Sequence, residues 1–404
     1  MSISDDIRKN RFHDFTVTVK GQSPNARPAA ATIQQVAHDF GFGSNIFGLV
    51  RGVEAGELDT YRSLITRLWS FGTLPFYWGR YEPKEGEPME AETMAAARWA
   101  RDHGLVTKGH PLCWHTVCAD WLMEYDNDTI LGKQLDRIRR DVSRFKGVID
   151  MWDVINEVVI MPIFDKYDNA VTRIANHIGA VELTLRCFQA AREANPDAVL
   201  LINDFDLSPA YEGLIEELLE RGCPIDVIGL QTHQHHGYHG IEKTLDVINR
   251  FERFGKPLHF TETTILSGHE VPKSIIDLND YHIDEWPSTP EGEAEQAERV
   301  EAYYSAIFSR PSVDAIVWWD LRDGNWLGAP AGLVRRDLSP KPAYEALERL
   351  IKGEWWLSSK EVPVAADGTV RFTGTAGRYQ IAIGDARHEV HLTGTAPSAS
   401  VPAT

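Results

Sequence analysis

The sequence predicts an α/β fold, a (β/α)8 TIM barrel, with a small β accessory module built from the two flanks of the chain. Between residues 40 and 352, short apolar runs alternate with segments of helical period. Eight such runs occur, which is the number of strands in a closed parallel barrel. Both flanks show period-2 patterns instead. A doubly wound sheet of eight strands is the alternative that this alternation leaves open.

The eight strand-like runs are short and apolar, as strands buried on both faces are. They span residues 40–47, 73–79, 106–115, 148–157, 198–206, 226–233, 257–263 and 315–323. Helical patterns lie between them; for example, Leu64, Ile65 and Leu68 follow the i, i+3, i+4 spacing of an amphipathic helix. Glycines such as Gly72 and Gly104 stand just after the last periodic residue, where helices commonly end.

Residues 1–39 are predicted to form a β-hairpin, because two alternating segments are separated by a stretch rich in Gly, Pro and Asn. Residues 353–395 contain three more strand-like segments with glycine turns. Strand pairs this short are marginal alone, so we expect the two flanks to combine into one module beside the catalytic barrel of residues 40–352. Residues 396–404 are predicted to be a disordered tail.

Composition excludes several classes of protein. The chain has 404 residues, 43% hydrophobic and 25% charged, so it is neither disordered, a coiled coil nor a fibre. Its net charge of −18 disfavours nucleic acid or an anionic membrane as a partner. No apolar run is long enough to span a bilayer. The four cysteines are too sparse for a disulfide framework or a zinc site, and no cofactor or metal is predicted.

The N-terminus shows no basic segment followed by an apolar core. We therefore expect a cytoplasmic protein if Met1 is the native start, and a secreted one if a leader has been trimmed.

The chemistry of a barrel enzyme lies at the C-terminal ends of its strands. Here those ends carry His110 and Trp114, Asn156 and Glu157, Asn203 and Asp204, Gln231 and His233, Glu262, and a run from Trp318 to Trp326. Two carboxyl groups on well-separated strands, Glu157 and Glu262, form the pair that a glycosidase needs: one protonates the leaving oxygen while the other attacks the anomeric carbon or activates water. The twelve tryptophans of the chain favour a sugar ligand, since indole faces stack on sugar rings.

At these residues the sequence resembles glycoside hydrolase family 10, the retaining endo-β-1,4-xylanase family. Residues 109–115 (GHPLCWH) are similar to its motif GHTLVWH, residues 153–157 (DVINE) to DVVNE, residues 260–263 (FTET) to ITEL, and residues 341–344 to KPAY. The resemblance covers about residues 40–352. It implies an endo-β-1,4-xylanase-like enzyme that acts on xylan or xylo-oligosaccharides, with Glu157 as general acid/base and Glu262 as nucleophile.

The resemblance also implies roles for the surrounding residues. His233 and Gln231 would orient Glu262, and Asn156 would bond the sugar 2-hydroxyl. The remaining residues would bind substrate: His110, Trp114, Trp318 and Trp326 would line the subsite next to the cleaved bond, and Trp78 and Tyr77 lie in the segment after the second strand.

That segment departs from the family pattern. Family members carry ENxMKW there, and its Glu, Asn and Lys bind sugar hydroxyls on the non-reducing side. This chain has Thr73, Leu74 and Tyr77 at those three positions, and only Trp78 matches. Loss of hydrogen-bond partners changes which sugar is favoured. A family 10-like β-glycosidase for a non-xylan glycoside is therefore an alternative.

Two further alternatives come from other classes. The histidines at 233, 235, 236 and 239 could belong to a metal-dependent barrel hydrolase, but the first strand lacks the HxH pair that such enzymes use. A catalytically silent carbohydrate-binding protein on the same fold is the other, and the presence of both Glu157 and Glu262 argues against it.

Overall fold

A computed structural model describes residues 2–20, 29–54 and 56–402. In chain order its strands are Phe12–Lys20 (β1), Ala30–His38 (β2), Gly41–Asn45 (β3), Phe71–Pro75 (β4), Val106–His110 (β5), Met151–Asn156 (β6), Val199–Asp204 (β7), Val227–Gln234 (β8), Leu258–Ile265 (β9), Val313–Trp318 (β10), Lys360–Pro363 (β11), Thr369–Thr375 (β12), Gly377–Ile383 (β13), Ala386–Leu392 (β14) and Ser398–Pro402 (β15).

The α-helices lie mainly between the barrel strands. They are Ile3–Arg11 (α1), Gly48–Arg51 (α2), Leu58–Leu68 (α3), Trp78–Tyr81 (α4), Glu90–Asp102 (α5), Asn127–Arg144 (α6), Ala170–Ile178 (α7), Ala180–Ala194 (α8), Pro209–Glu220 (α9), Gly240–Phe251 (α10), Pro290–Phe308 (α11) and Pro342–Arg349 (α12). None of the helices in the described residues combines the length and apolar character needed to cross a bilayer.

Strands β3 to β10 form the predicted closed barrel. Neighbouring strands pair in parallel in the order β10-β3-β4-β5-β6-β7-β8-β9, and the barrel closes where Ala315 of β10 pairs with Gly41 of β3. This closure excludes the doubly wound sheet. The second strand is displaced from its predicted position at 73–79, because the chain leaves the sheet after Pro75 and Trp78 begins α4.

The two flanks combine into one module, as expected, but their pairing differs from the prediction. β1 lies in a three-stranded sheet between β12 and β15, while β2 lies in a four-stranded sheet between β11 and β13. The predicted hairpin of residues 1–39 is therefore wrong: β1 and β2 face each other from different sheets. Between the sheets lies a separate core that includes Phe15, Ile33 and Tyr379. The stretch predicted as the hairpin turn, residues 21–28, lies outside the described residues.

The predicted disordered tail is also wrong for most of its length. Residues 398–402 form β15, which pairs in parallel with β1 from Thr16 to Lys20. The buried side chain of Val401 explains the order, because it packs into the core between the sheets. Thr16 N–H also donates to the carbonyl of Pro397. Residues 403–404 lie outside the described residues.

An N-terminal helix, α1, was not predicted, and it anchors the module to the barrel. Ser2 caps it in a capping box with Asp5. At its other end the Arg11 guanidinium donates to the carbonyl oxygens of Phe308 at 2.7 Å and Val313 at 2.6 Å. Arg11 also lies 4.9 Å from the ring centre of Phe40. These contacts hold the start of the chain against the last barrel strand.

The barrel wall is close-packed where β5 approaches β6. A Cβ added at Gly109 would lie 2.2 Å from the Trp152 ring, whereas one added at Gly132, on the exposed face of α6, would meet nothing within 4 Å. We expect Gly109→Ala to lower the free energy of unfolding by about 3 kcal/mol through overpacking. Gly132→Ala, the matched control, is expected to raise it by about 0.5–1 kcal/mol through helix propensity.

Urea unfolding followed by circular dichroism measures both effects. Equal midpoints for the two variants would contradict this account of the barrel wall.

Candidate active site

The C-terminal ends of the barrel strands open into a cleft of about 1670 Å³. Of the predicted site residues, the cleft is lined by Glu157, Glu262, His110, Trp114, Asn156, Gln231, His233, Trp326 and Tyr77. Trp78 and Trp318 are not among its lining residues. The fold thus brings nine of the eleven predicted residues, from six different strand ends, to one place.

Glu157 follows β6 directly and its backbone is strained. Its φ is +58°, a left-handed conformation that non-glycine residues seldom adopt and that is concentrated at functional sites. The backbone is held there by its N–H, which donates to the carbonyl of Asn203 at 2.8 Å. The carboxyl group accepts from Trp114 Nε1 at 2.7 Å and from Asn156 Nδ2 at 3.2 Å. The strand end and two donors therefore fix the direction of this carboxyl group.

Glu157 is protonated at neutral pH. Burial raises the pKa of its carboxyl group, the negative charge of Glu262 raises it further, and the hydrogen bond from Trp114 only partly offsets them, so that the pKa is about 8. Such a group can donate a proton at neutral pH.

Glu262 lies within β9 and its carboxylate is held on both oxygens. Asn203 Nδ2 donates to Oε1 at 3.1 Å, and His233 Nε2 lies 3.1 Å from Oε2. His110 Nε2 lies 3.7 Å from Oε1. Burial alone would raise the pKa of Glu262, but the charges of His110 and His233 and the hydrogen bond from His233 outweigh it, and the pKa is below its usual value. Glu262 is therefore ionised where Glu157 is not.

Two buried charged residues, Asp153 and Lys108, lie next to His110 in the barrel. Asp153 Oδ2 lies 2.7 Å from His110 Nδ1 and 2.6 Å from Lys108 Nζ, and all three side chains are buried in the barrel. Burial would raise the pKa of Asp153, but Lys108 and His110 lower it below the usual value. The ionised Asp153 fixes the orientation of the imidazole, so that Nε2 points to Glu262. Sequence analysis named His110 but missed both partners, although Lys108 and His110 share a strand face by their spacing of two.

Side-chain amides connect the two carboxyl groups. Asn203 Nδ2 donates both to Glu262 and to Asn156 Oδ1, and Gln231 Nε2 donates to the same Asn156 oxygen at 3.0 Å. Thr261 Oγ1 donates to Asn203 Oδ1 at 2.5 Å. Because an amide oxygen accepts and its NH₂ group donates, these bonds allow one orientation for each amide. The network holds Glu157 and Glu262 in a fixed relative position.

Thr264 supports His233 from the side opposite Glu262. Its Oγ1 lies 3.3 Å from His233 Nδ1 and 3.4 Å from His235 Nδ1, and it accepts from Gln234 N–H at 3.2 Å. His233 is therefore held at both ring nitrogens, by Thr264 at Nδ1 and by Glu262 at Nε2. A threonine, rather than a second carboxylate, supports this histidine.

Aromatic rings form the walls of the cleft. Trp319 packs edge-on against His110 at 5.3 Å and Phe47 at 5.2 Å. Tyr77 lies 5.4 Å from Trp114, and Trp326 lies 4.5 Å from the ring of His233. The rings lie around the carboxyl pair and present apolar surface to the cleft.

Two of the tryptophans that were predicted to stack on a sugar, Trp318 and Trp78, do not reach the cleft. Trp318 is fully buried, and its Nε1 donates to the carbonyl of Ala331 at 2.9 Å on the outer side of the barrel. Side chains alternate along a strand, so the next residue, Trp319, faces the cleft instead. Trp78 is buried behind β4, where it donates to Glu82 and lies under the Arg137 guanidinium.

The three positions at which the chain departs from the family motif do not all reach the cleft. Thr73 and Leu74 are fully buried within the barrel, and only Tyr77 of the three replaced positions reaches the cleft. Sequence analysis missed Asp320, which accepts from Asn45 Nδ2 and from Trp326 N–H at 3.0 Å. Its signal was its position directly after a strand-end tryptophan.

The histidine-rich stretch does not assemble a cation site in the described part of the chain. Within it, no group of three or more His, Cys, Asp or Glu side chains is placed to hold a metal ion. His233 contacts Glu262, whereas His235 is buried and packs edge-on against Trp326. These histidines support the site walls.

A (β/α)8 barrel whose mouth holds one protonated and one ionised carboxyl group, among indoles and amides, defines a glycoside hydrolase. Comparison with known proteins gives the family. Residues 76–350 match the model of Glycosyl hydrolase family 10. The chain belongs to this family.

Individual relatives agree with the family. The chain is 30% identical over 322 residues to endo-1,4-beta-xylanase C of Paenibacillus barcinonensis; the match covers 70% of this chain and 28% of that protein, so this chain spans less than a third of its length. A solved GH10 structure from the same organism has a TM-score of 0.63 at 26% identity, covering 77% of this chain and 94% of that one. Xylanase 10B of Thermotoga petrophila RKU-1, solved with xylobiose, shares the fold at 22% identity and a TM-score of 0.63, covering 78% of this chain and 95% of that one.

The charge on Glu262 is predicted to control the protonation of Glu157. In Glu262→Gln the like charge is removed, so the pKa of Glu157 should fall from about 8 toward the usual range. Carboxyl ¹³C NMR titration of the two proteins measures this shift directly. In the wild type, kcat/KM should decline as the pH rises through about 8, where Glu157 loses its proton, and on the acid side only below the usual pKa of a glutamate. An unchanged Glu157 pKa in the variant would contradict the electrostatic coupling.

Substitution of the two adjacent tryptophans should have different effects: one should reduce substrate turnover and the other should reduce stability. Trp319→Ala removes a cleft wall, and we expect kcat/KM on an aryl β-glycoside to fall about 10- to 100-fold. Trp318→Phe leaves the cleft intact but orphans the Ala331 carbonyl, and should lower the free energy of unfolding by about 1–3 kcal/mol. Kinetics and urea unfolding are measured for both. The assignment fails if Trp318→Phe reduces kcat/KM more than Trp319→Ala does.

Proposed function

We propose that the protein is a retaining β-glycosidase, an endo-β-1,4-xylanase-like enzyme that cleaves xylan or xylo-oligosaccharides. The observation that carries the proposal is the opposite protonation of two carboxyl groups joined by one amide network. A retaining glycosidase needs this pair, because one group must give a proton while the other attacks as an anion. Family membership and the xylanase relatives support the substrate class.

In the first step Glu262 attacks the anomeric carbon and forms a glycosyl ester. The bond from that carbon to the leaving oxygen breaks, and the oxygen takes the proton of Glu157. Asn156 Nδ2, beside Glu157, is the donor for the sugar 2-hydroxyl, a contact that strengthens in the transition state. Trp319 and Trp326 provide apolar walls for the ring.

In the second step Glu157 acts as a base. Once Glu262 is an ester it carries no charge, so one cause of the high pKa of Glu157 is gone and its pKa falls. The carboxylate then takes a proton from water while that water attacks the anomeric carbon and the ester bond breaks. Both groups return to their starting protonation states.

A second candidate is a family 10-like β-glycosidase for a different, non-xylan glycoside. The burial of Thr73 and Leu74 favours it, since two of the family's three polar binders then have no counterpart in the cleft. A catalytically silent sugar-binding protein is disfavoured, because sugar binding alone does not require a strained acid and an ionised carboxylate side by side.

Azide rescue tests the mechanism and the two roles. For an aryl β-xyloside, Glu262→Ala with azide should yield the inverted α-glycosyl azide, because azide replaces the missing nucleophile. Glu157→Ala should instead yield the retained β-glycosyl azide through the glycosyl ester. Product configuration is read by ¹H NMR. Near wild-type turnover in either variant would remove that residue from the mechanism.

A parallel substrate panel tests the specificity. Aryl β-xylosides, β-glucosides and β-arabinosides are compared with xylo-oligosaccharides of increasing length. Highest kcat/KM on long xylo-oligosaccharides with internal cleavage supports the endo-xylanase. Preference for another aryl glycoside supports the second candidate, and tight binding without turnover of any member supports the silent protein.

A further inference from the structure

Six basic side chains line the cleft of this strongly acidic protein: Arg51, Arg80, Lys166, Lys243, Arg250 and Arg322. Three of them are neutralised by carboxylates. Lys166 pairs with Asp277 at 2.6 Å, Arg250 with Glu212 at 2.6 Å, and Arg322 with Glu57 at 2.7 Å. The side chains of the other three have neither an ion pair nor a hydrogen bond to any of the residues described by the structure.

Arg51 and Arg80 are two of these unpaired cations, and both line the cleft. The charge of Arg80 lowers the pKa of Arg51, second to burial as a cause of that direction. An anion bound beside Arg51 would offset this repulsion. With 59 acidic residues in the chain, the lack of a carboxylate contact at this place is notable.

Arg51 is held in position by aromatic rings. Its guanidinium carbon lies 4.9 Å from the ring centre of Phe47 and 5.4 Å from that of Tyr77. These rings orient the guanidinium plane and leave its N–H groups free for a ligand. The Tyr77 ring lies 5.5 Å from that of His110, which faces Glu262. Two rings, Tyr77 and His110, therefore separate Arg51 from the nucleophile, so a group bound to Arg51 belongs to a sugar beside the one that is cleaved.

Asp320 is a carboxyl group whose charge acts on Arg51, but its oxygens accept hydrogen bonds from other residues. One of its oxygens accepts from Asn45 and the other from Trp326 N–H, and the side chain is buried. Its charge interacts with Arg51 through space without an ion pair. The guanidinium therefore keeps its donors for the cleft.

We propose that Arg51 forms a subsite for an anionic group carried by the glycan, such as the carboxylate of a uronic acid residue or a sulfate ester, next to the cleaved sugar. The inference rests on the proposed function of the cleft as a glycosidase site. An arginine fork matches the two oxygens of a carboxylate or sulfate, and charge-assisted bonds of this kind are stronger than those to neutral hydroxyls. The subsite lies beside Tyr77, where polar binders for neutral sugars are missing.

A pair of matched oligosaccharides tests the subsite. One carries a glucuronic acid side chain on a β-1,4-xylan backbone, and the other is the same compound after reduction of its carboxyl group to the neutral alcohol. We expect wild-type kcat/KM to be about 10-fold higher for the acidic compound at low ionic strength, with the ratio falling as salt is added. A sulfated xylo-oligosaccharide of equal length distinguishes the two anion sources, because whichever anion gives the higher ratio is assigned to the subsite.

Three variants locate the effect. Arg51→Met keeps the stacking volume on Phe47 and Tyr77 but removes the charge; it should reduce the ratio to about 1 while leaving turnover of the neutral compound unchanged. Arg51→Lys keeps the charge without the fork and should give an intermediate ratio. Lys243→Met is the matched control, since it removes an unpaired cation from another part of the same cleft and should leave the ratio at its wild-type value.

The outcomes separate this inference from the proposed function. Turnover of the neutral compound with no preference for any anionic one overturns the subsite and leaves the glycosidase in place. A preference that survives in Arg51→Met also overturns it, because the anion is then bound elsewhere. Failure to turn over either compound or any aryl glycoside overturns the proposed function itself.

Discussion

Two carboxyl groups buried at one barrel mouth cannot both carry a charge without a large electrostatic cost, and the rest of the site follows from this constraint. Interactions with His110 and His233 lower the pKa of Glu262 and make it the group that ionises. Glu157, which is buried and lies near the charge of Glu262, keeps the proton. If the surroundings of Glu157 or of Glu262 were lost, both carboxyl groups would be protonated or both would be ionised. A double displacement requires one of each.

The same constraint accounts for charged residues deep in the barrel. A lysine and an aspartate at the centre of a parallel barrel oppose the usual preference for branched apolar side chains there. Lys108 and Asp153 are tolerated because they neutralise each other and because Asp153 orients the His110 imidazole that faces Glu262. The barrel interior is thus an extension of the active site, and its packing and its chemistry cannot be varied independently.

Sequence periodicity was sufficient for the barrel and for the placement of Glu157 and Glu262 at its mouth, because strand ends converge in a parallel barrel whatever the details of packing. Periodicity was insufficient where a shift of one residue along a strand decides which face of the strand a side chain occupies. Trp318 and Trp319 are chemically identical neighbours, and only the strand alternation decides which one faces the cleft. The sequence pattern also could not reveal long-range strand pairing. Alternation identified β1 and β2 as strands, but their partners β12 and β13 lie more than 300 residues away along the chain. The predicted local hairpin was therefore incorrect. Residues 398–402 have the composition of a disordered tail, but they form β15 because Val401 packs into the core between the two sheets.

The accessory module is made from both ends of the chain, with β1 lying between β12 and β15. Its sheets therefore need strands from both sides of the barrel sequence: β1 is synthesised before the barrel strands, and its partners β12 and β15 are synthesised after them. The cost of closing so long a loop grows only slowly with its length, and a folded barrel that already holds its two ends together reduces it further. A chain that lacks β12 and β15 therefore leaves both edges of β1 unpaired, although its barrel sequence is complete.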